Sequence, residues 1–86
     1  MGEFFSHITP SYRGVSPAAK PLAQLLRIAR ARIDISQQDT AHMAGISKYR
    51  LHQAERGLIG LRRNELERLG RILEVPELVN HAEPGD

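Results

Sequence analysis

The stretch SQQDTAHMAGISKYRLHQAERG, residues 36–57, decides the fold. Each half opens on a serine, Ser36 and then Ser47, and a serine oxygen accepts hydrogen bonds from the free N–H groups at the start of a helix. Gly45 ends the first half and Gly57 ends the second, and glycine readily adopts the left-handed conformation that closes many helices. The stretch therefore predicts two short capped helices joined by a glycine-containing turn.

Apolar residues recur with a helical period on both sides of this stretch. Before it, Leu22, Leu26 and Ala29 fall in an arc of roughly 100° that also takes in Leu25 and Ile33. After it, leucines and Ile72 mark another helix. The predicted helices run from Pro21 to about Ile33, from 37 to 44, from the Ser47 cap to about 55 or 56, and over about 62–74, with a short last turn opened by Pro76. No strand pattern or internal repeat stands out, so the fold class is all-α, a compact bundle of about five short helices.

Length and composition exclude several classes of protein. With 86 residues and no cysteine, the chain allows one small domain without disulfides, thiolate zinc sites or cysteine nucleophiles. The four histidines lack metal-ligand spacing, and the chain has no nucleotide-binding glycine motif. We expect neither an enzyme nor a bound cofactor or metal.

Charge is unevenly spread along the chain. All 12 basic residues lie between Arg13 and Arg71, whereas half of the 10 acidic residues lie outside that segment. A basic middle favours a polyanionic partner, nucleic acid first. Neither a secretory signal nor an apolar run of roughly 20 residues is visible, so the expected location is cytoplasmic, nucleoid-associated when bound to DNA.

The residues inside the deciding stretch have the spacing of a helix-turn-helix motif. Ala41 is small where the following helix crosses it, and Gly45 permits a positive φ in the turn. Ile46, Leu51 and Ala54 are placed to fill the angle between the two helices.

The segment resembles the Cro/phage-repressor-type family of helix-turn-helix domains, also called the xenobiotic-response-element-like family. The residues that carry the resemblance are Ser36-Gln37, Ala41, Ala44-Gly45-Ile46-Ser47, Leu51, Glu55-Arg56-Gly57, Leu66-Glu67-Arg68-Leu69, Leu73 and Val75, within about Leu22 to Leu78. The resemblance implies a lambda-repressor-like domain that binds duplex DNA. Three residues depart from the family's usual choice, namely Thr40 for Leu, Asp34 for Gly and Gly70 for Ala, and the loop before the fourth helix lacks a frequent Pro.

The third predicted helix carries the expected contact face. At about 100° per residue, Lys48, Tyr49, His52, Gln53 and Arg56 share an arc of roughly 140°, opposite the apolar residues of the same helix. A solvated surface helix would show the same polar face. The outward position of Tyr49 favours a contact surface. The predicted core contains no aromatic residue, so a tyrosine that binds no ligand would stabilise the fold more if it were buried.

The resemblance assigns roles to individual side chains. The expected base-reading residues are Lys48, Tyr49 and Gln53, with His52 a further candidate. The expected phosphate-binding residues are Gln37, at a helix N-terminus, and Arg50, Arg56, Arg62 and Arg63. Arg62 and Arg63 precede or open a helix, where cations oppose the helix dipole, so an external anion would explain them; a solvated pair in a loop is the alternative. The resemblance also implies a structural ion pair between Arg30 and Glu55.

The predicted function is sequence-specific binding of double-stranded DNA by a transcriptional repressor or regulator, as a homodimer on a palindromic operator. Candidates for the dimer surface are Val75, Leu78, Val79 and an irregular N-terminal arm over residues 1–19, followed by the domain at 20–80 and a flexible tail at 81–86. The alternative is an antitoxin or adaptor that uses the same fold and grips a protein partner through the arm. Phe4, Phe5, Ile8 and Tyr12 are the arm residues placed to do so.

Overall fold

The computed structural model describes residues 19–83, so the predicted arm, apart from its last residue, and the end of the tail lie outside the described residues. The helices are α1 (Ala19–Ile33), α2 (Gln37–Ala44), α3 (Lys48–Glu55) and α4 (Arg63–Leu73), followed by a 3-10 helix (Pro76–His81). Residues 19–83 contain no strand, and the predicted all-α fold class is confirmed. No helix in this range is long and apolar enough to cross a membrane.

Local capping chemistry sets the boundaries of α2 and α3. The Ser36 Oγ accepts a hydrogen bond from the Asp39 N–H at 3.0 Å, and the Ser47 Oγ accepts one from the Arg50 N–H at 2.9 Å. Gly45 closes α2 in the left-handed conformation, with φ of 70°. These contacts satisfy N–H groups that have no partner within their own helix, and they fix the turn that joins α2 to α3.

A leucine-rich core lies between the four α-helices and the 3-10 helix, with α2 contributing Ala41 and Ala44. Its fully buried members include Leu22 and Leu26 of α1, Leu51 of α3 and Leu66 of α4. The predicted apolar stripe of α1 fails at its last residue, because Ile33 is 41% exposed. Ile33 is the last residue of α1, and the described part of the chain leaves it partly exposed.

The last part of the chain belongs to this core. Val75 and Leu78, expected as candidates for a dimer surface, are buried, and that expectation is wrong for both. They are held against α4 by a close backbone approach at Gly70, whose carbonyl accepts a hydrogen bond from the Val75 N–H at 2.9 Å. A Cβ at position 70 would stand 2.8 Å from the Val75 carbonyl oxygen. Close packing therefore explains why glycine occupies this helical position.

Thr40 departs from the family's usual leucine without leaving an unsatisfied group. Its side chain is fully buried, and its Oγ1 donates a hydrogen bond to the Ser36 carbonyl at 2.7 Å. The buried hydroxyl is thus paired with backbone at the start of α2, as burial of a polar group requires.

Candidate nucleic-acid interface

Helix α3 separates its side chains into a buried face and an exposed face. Leu51 and Ala54 are fully buried, whereas Tyr49 is 71% exposed. Lys48 and His52 are also exposed. The four candidate base-reading residues lie on this one short helix, and three of them are exposed to solvent.

Gln53 and Tyr49 are one helical turn apart and bond to each other. Gln53 is half-buried, and its Nε2 donates to the Tyr49 hydroxyl oxygen at 2.8 Å. The Gln53 Oε1 is buried without a hydrogen-bond partner among the described residues. Because this oxygen is closed to solvent, pairing with adenine through both the oxygen and the nitrogen of the amide would require the amide to turn.

The C-terminal end of α3 is tied to α1 through Glu55. The Glu55 carboxylate is only 3% exposed and accepts hydrogen bonds from Arg30 Nε at 2.6 Å and from Arg30 Nη2 at 2.9 Å. Arg30 Nη1 also donates to the Ile35 carbonyl at 2.7 Å, and Arg27 Nη1 donates to the Glu55 carbonyl. The hydrogen bonds with Glu55 raise the pKa of Arg30 above its ordinary value. Arg30 and Glu55 therefore form the ion pair that the resemblance implied.

Gln37, an expected phosphate contact at the start of α2, joins this cluster. Its Nε2 donates to the Glu55 Oε1 at 2.9 Å, and its Oε1 lies 3.4 Å from the His52 Nδ1. The side chain thus links the buried ion pair to an exposed residue of α3. A phosphate contact at Gln37 would use its backbone N–H or require the amide to turn.

Arg50, an expected phosphate contact, bonds instead to Glu65, which the sequence pattern did not predict. Arg50 Nε and Nη2 donate to the two oxygens of the Glu65 carboxylate at 2.7 and 3.0 Å. Glu65 also accepts a hydrogen bond from the Arg62 backbone N–H at 2.7 Å, the reciprocal half of a capping box at the start of α4. Two signals could have revealed it: Arg50 was the one arginine or lysine of α3 outside the contact arc, and Glu65 stands three residues after Arg62, the cap residue of α4.

The surroundings of Glu65 act on its pKa in opposite directions. Burial raises the pKa, while the hydrogen bonds from Arg50 and from the Arg62 N–H lower it, and the net result is a pKa below the ordinary value. Glu65 also supplies a negative charge in the first turn of α4. This charge offsets part of the repulsion between the helix dipole and the two arginines, Arg62 and Arg63. The two arginines at the start of α4 therefore indicate an external anion less strongly than the sequence suggested.

The remaining expected phosphate contacts are exposed cations. Arg56 follows α3, Arg62 precedes α4, and Arg63 is the first residue of α4. The Arg63 Nε lies 3.9 Å from the Glu67 Oε2, one helical turn away. Both side chains are exposed, so this ion pair holds the Arg63 side chain only weakly. These three guanidinium groups are available to a polyanion. Within residues 19–83, no cluster of histidine and acidic side chains could hold a metal ion.

The fold and the exposed face of α3 together define a helix-turn-helix protein. The family model described as a helix-turn-helix domain matches residues 21–82, most of the chain, and the protein belongs to this family. The match confirms the resemblance from the sequence and is consistent with a Cro/repressor-type domain. Comparisons with curated proteins and with solved structures gave no significant match.

Proposed function

We propose that this protein is a transcriptional repressor that binds double-stranded DNA sequence-specifically and inserts α3 into the major groove. The observation that carries the proposal is that α3 is held at both ends while Lys48, Tyr49 and His52 on its outer face stay exposed. Near its start, Arg50 bonds to Glu65 of α4, and at its end Glu55 bonds to Arg30 of α1. A helix held in this way presents its side chains to a ligand at little further cost in conformational entropy.

The exposed side chains of α3 suit base edges. Lys48 can donate to the oxygen and nitrogen acceptors of guanine, and Gln53 can pair with adenine. Tyr49 can contact a thymine methyl group or donate to a phosphate. All three positions match those at which the family reads bases, and the N-terminal part of the second helix of the motif is the part that meets base edges.

Phosphate contacts position such a domain on the duplex and supply most of its salt-dependent affinity. In this proposal they come from Arg56, Arg62 and Arg63, with the backbone N–H of Gln37 at the start of α2, so that its side chain stays on Glu55. Arg50 contributes only through the guanidinium nitrogen that Glu65 leaves free, because Nε and Nη2 are committed to that carboxylate. Its main role in the proposal is to hold α3 in place.

The proposed DNA-bound form is a homodimer on a palindromic site, with the two copies of α3 roughly 34 Å apart. A single domain of this size contacts too little DNA for tight, specific binding. Val75 and Leu78 are unavailable for the dimer contact because they belong to the core. Sedimentation of the protein with and without a selected duplex tests this part, and one chain per duplex would refute it.

Selection from a pool of random duplexes, followed by anisotropy titrations across a salt series, tests the function. We expect a palindromic site bound at least ~10³-fold more tightly than random DNA. The matched control is a variant with Lys48→Ala and Gln53→Ala, which should keep weak, salt-sensitive binding but lose the enrichment. Weak binding by the unmodified chain without any enriched sequence would refute the proposal and favour a protein-interaction module.

A further inference from the structure

The contacts around Gln37 decide which kind of hydrogen bond His52 can make. The chain of contacts begins at Glu55, whose carboxylate accepts two hydrogen bonds from Arg30. A carboxylate in such a pair only accepts hydrogen bonds. The group of Gln37 that lies 2.9 Å from Glu55 must therefore be its NH₂, which fixes the orientation of the amide.

With its NH₂ on Glu55, Gln37 turns its carbonyl oxygen toward the His52 Nδ1, 3.4 Å away. An amide oxygen only accepts hydrogen bonds, so this contact is favourable when Nδ1 carries the proton. A neutral imidazole has one N–H, and the hydrogen bond at one ring nitrogen sets the state of the other. The His52 Nε2 is then a bare acceptor, and among residues 19–83 it has no hydrogen-bond partner.

We infer that His52 reads the exocyclic amine of a base, adenine N6 or cytosine N4, through an unprotonated Nε2 that Gln37 keeps in the acceptor state. This inference rests on the proposed function and specifies the base chemistry at one position. Phosphate oxygens, guanine O6 and N7 and thymine O4 are all acceptors, so none of them can pair directly with this nitrogen. Gln37 acts as a positioning residue, and the contact to DNA is made by His52.

The state of the ring can be measured without DNA. In the ¹⁵N-labelled full chain, long-range proton–nitrogen correlation spectra distinguish a protonated from a bare ring nitrogen, and His52→Ala identifies the signals. At a pH where the rings are neutral, we expect Nδ1 to be protonated and Nε2 bare. Gln37→Met should shift His52 toward the opposite tautomer, while Gln38→Met, at the exposed neighbouring position, should leave it unchanged. A proton on Nε2 of the unmodified chain would overturn the inference.

The base contact is tested on the duplex selected as described above. Comparing the selection with that of His52→Ala locates the base pair that His52 reads, where adenine or cytosine is expected on the contacted strand. Replacing that base by an analogue without the exocyclic amine should weaken binding about three- to tenfold for the unmodified chain and leave binding by His52→Ala unchanged. If the base is adenine, an analogue without N7 should leave the affinity of both the unmodified chain and His52→Ala unchanged.

The outcomes separate the two proposals. Failure to enrich any duplex refutes the proposed function, whereas the spectra still report whether Gln37 fixes the His52 ring. An enriched duplex whose His52-dependent position is guanine or thymine, or is insensitive to loss of the amine, leaves the DNA-binding function in place and overturns the role given to His52.

Discussion

Arg50 and Glu65 join α3 to α4 by a two-point ion pair, with the Arg50 Nε 2.7 Å from one carboxylate oxygen and its Nη2 3.0 Å from the other. The same carboxylate accepts the Arg62 backbone N–H, so one acidic side chain both caps α4 and holds the start of α3. One buried carboxylate of α4 thus holds the start of the proposed DNA-reading helix.

Breaking this pair should loosen α3 without removing a base contact. We expect Arg50→Ala to lower the free energy of unfolding by about 1–3 kcal/mol, because a hydrogen-bonded charge at Glu65 loses its partner. Urea denaturation measures the change. Arg71→Ala, an exposed arginine of α4, is the matched control and should change stability little. Equal losses in both variants would contradict the role assigned to the pair.

Glu65 should also make stability depend on pH in the acid range. Its pKa lies below the ordinary value of 4.5, so the native state holds the proton more weakly than the unfolded chain does. The contribution of Glu65 to the free energy of unfolding is complete above pH 4.5 and is lost as the pH falls through the lower native pKa. Unfolding free energies of the unmodified chain and of Glu65→Gln should therefore converge with acidification, whereas the exposed control Glu67→Gln should show no such convergence.

The pair between Arg30 and Glu55 should be worth more to stability, because its carboxylate is nearly completely buried. Arg30→Ala leaves that charge without its main partner and should cost about 3–5 kcal/mol. Denaturation by urea tests the size of the loss, with the exposed Arg32→Ala on the same helix as control. A loss below about 1 kcal/mol would mean that Gln37, the other side chain that donates to the Glu55 carboxylate, suffices to satisfy it.

Gly70→Ala should destabilise the protein although alanine is the better helix former. The added Cβ would meet the Val75 carbonyl oxygen at 2.8 Å, which forces the 3-10 helix away from α4. We expect a net cost of about 1–3 kcal/mol, against the gain of up to about 1 kcal/mol in helix propensity. Thermal and urea unfolding measure the net change in the free energy of unfolding. A variant more stable than the unmodified chain would show that the Val75 carbonyl moves away from the added Cβ at little cost.

Base-reading and phosphate-binding residues should differ in how their loss affects DNA binding. Lys48→Ala or Gln53→Ala should cost about 1–3 kcal/mol on the selected site and relax specificity at one base pair. Arg63→Ala should instead weaken binding to all sequences alike and reduce the salt slope by about 1. Titrations on selected and random duplexes over a salt series separate the two patterns. Equal losses on both duplexes for all three variants would contradict the division of roles.

The sequence by itself determined the helices, their order and the outward face of α3. Ser36, Ser47 and Gly45 cap or close helices through contacts within a few residues, and apolar spacing follows the period of the helix. Such signals are local, so they can be recognised in a single sequence. The helix-turn-helix spacing was also local, and it led to the family that the chain belongs to.

Only the tertiary structure decided which side chains on different helices meet. Arg50 and Glu65 are 15 residues apart and Gln37 and Glu55 are 18 apart, and their contact depends on how the helices cross. Leu78 joined the core for the same reason, because Gly70 lets the backbone after α4 approach that helix closely enough to bury it. Helical periodicity says which face of a helix is apolar, whereas helix crossing and backbone approach settle which residue of another helix lies against it.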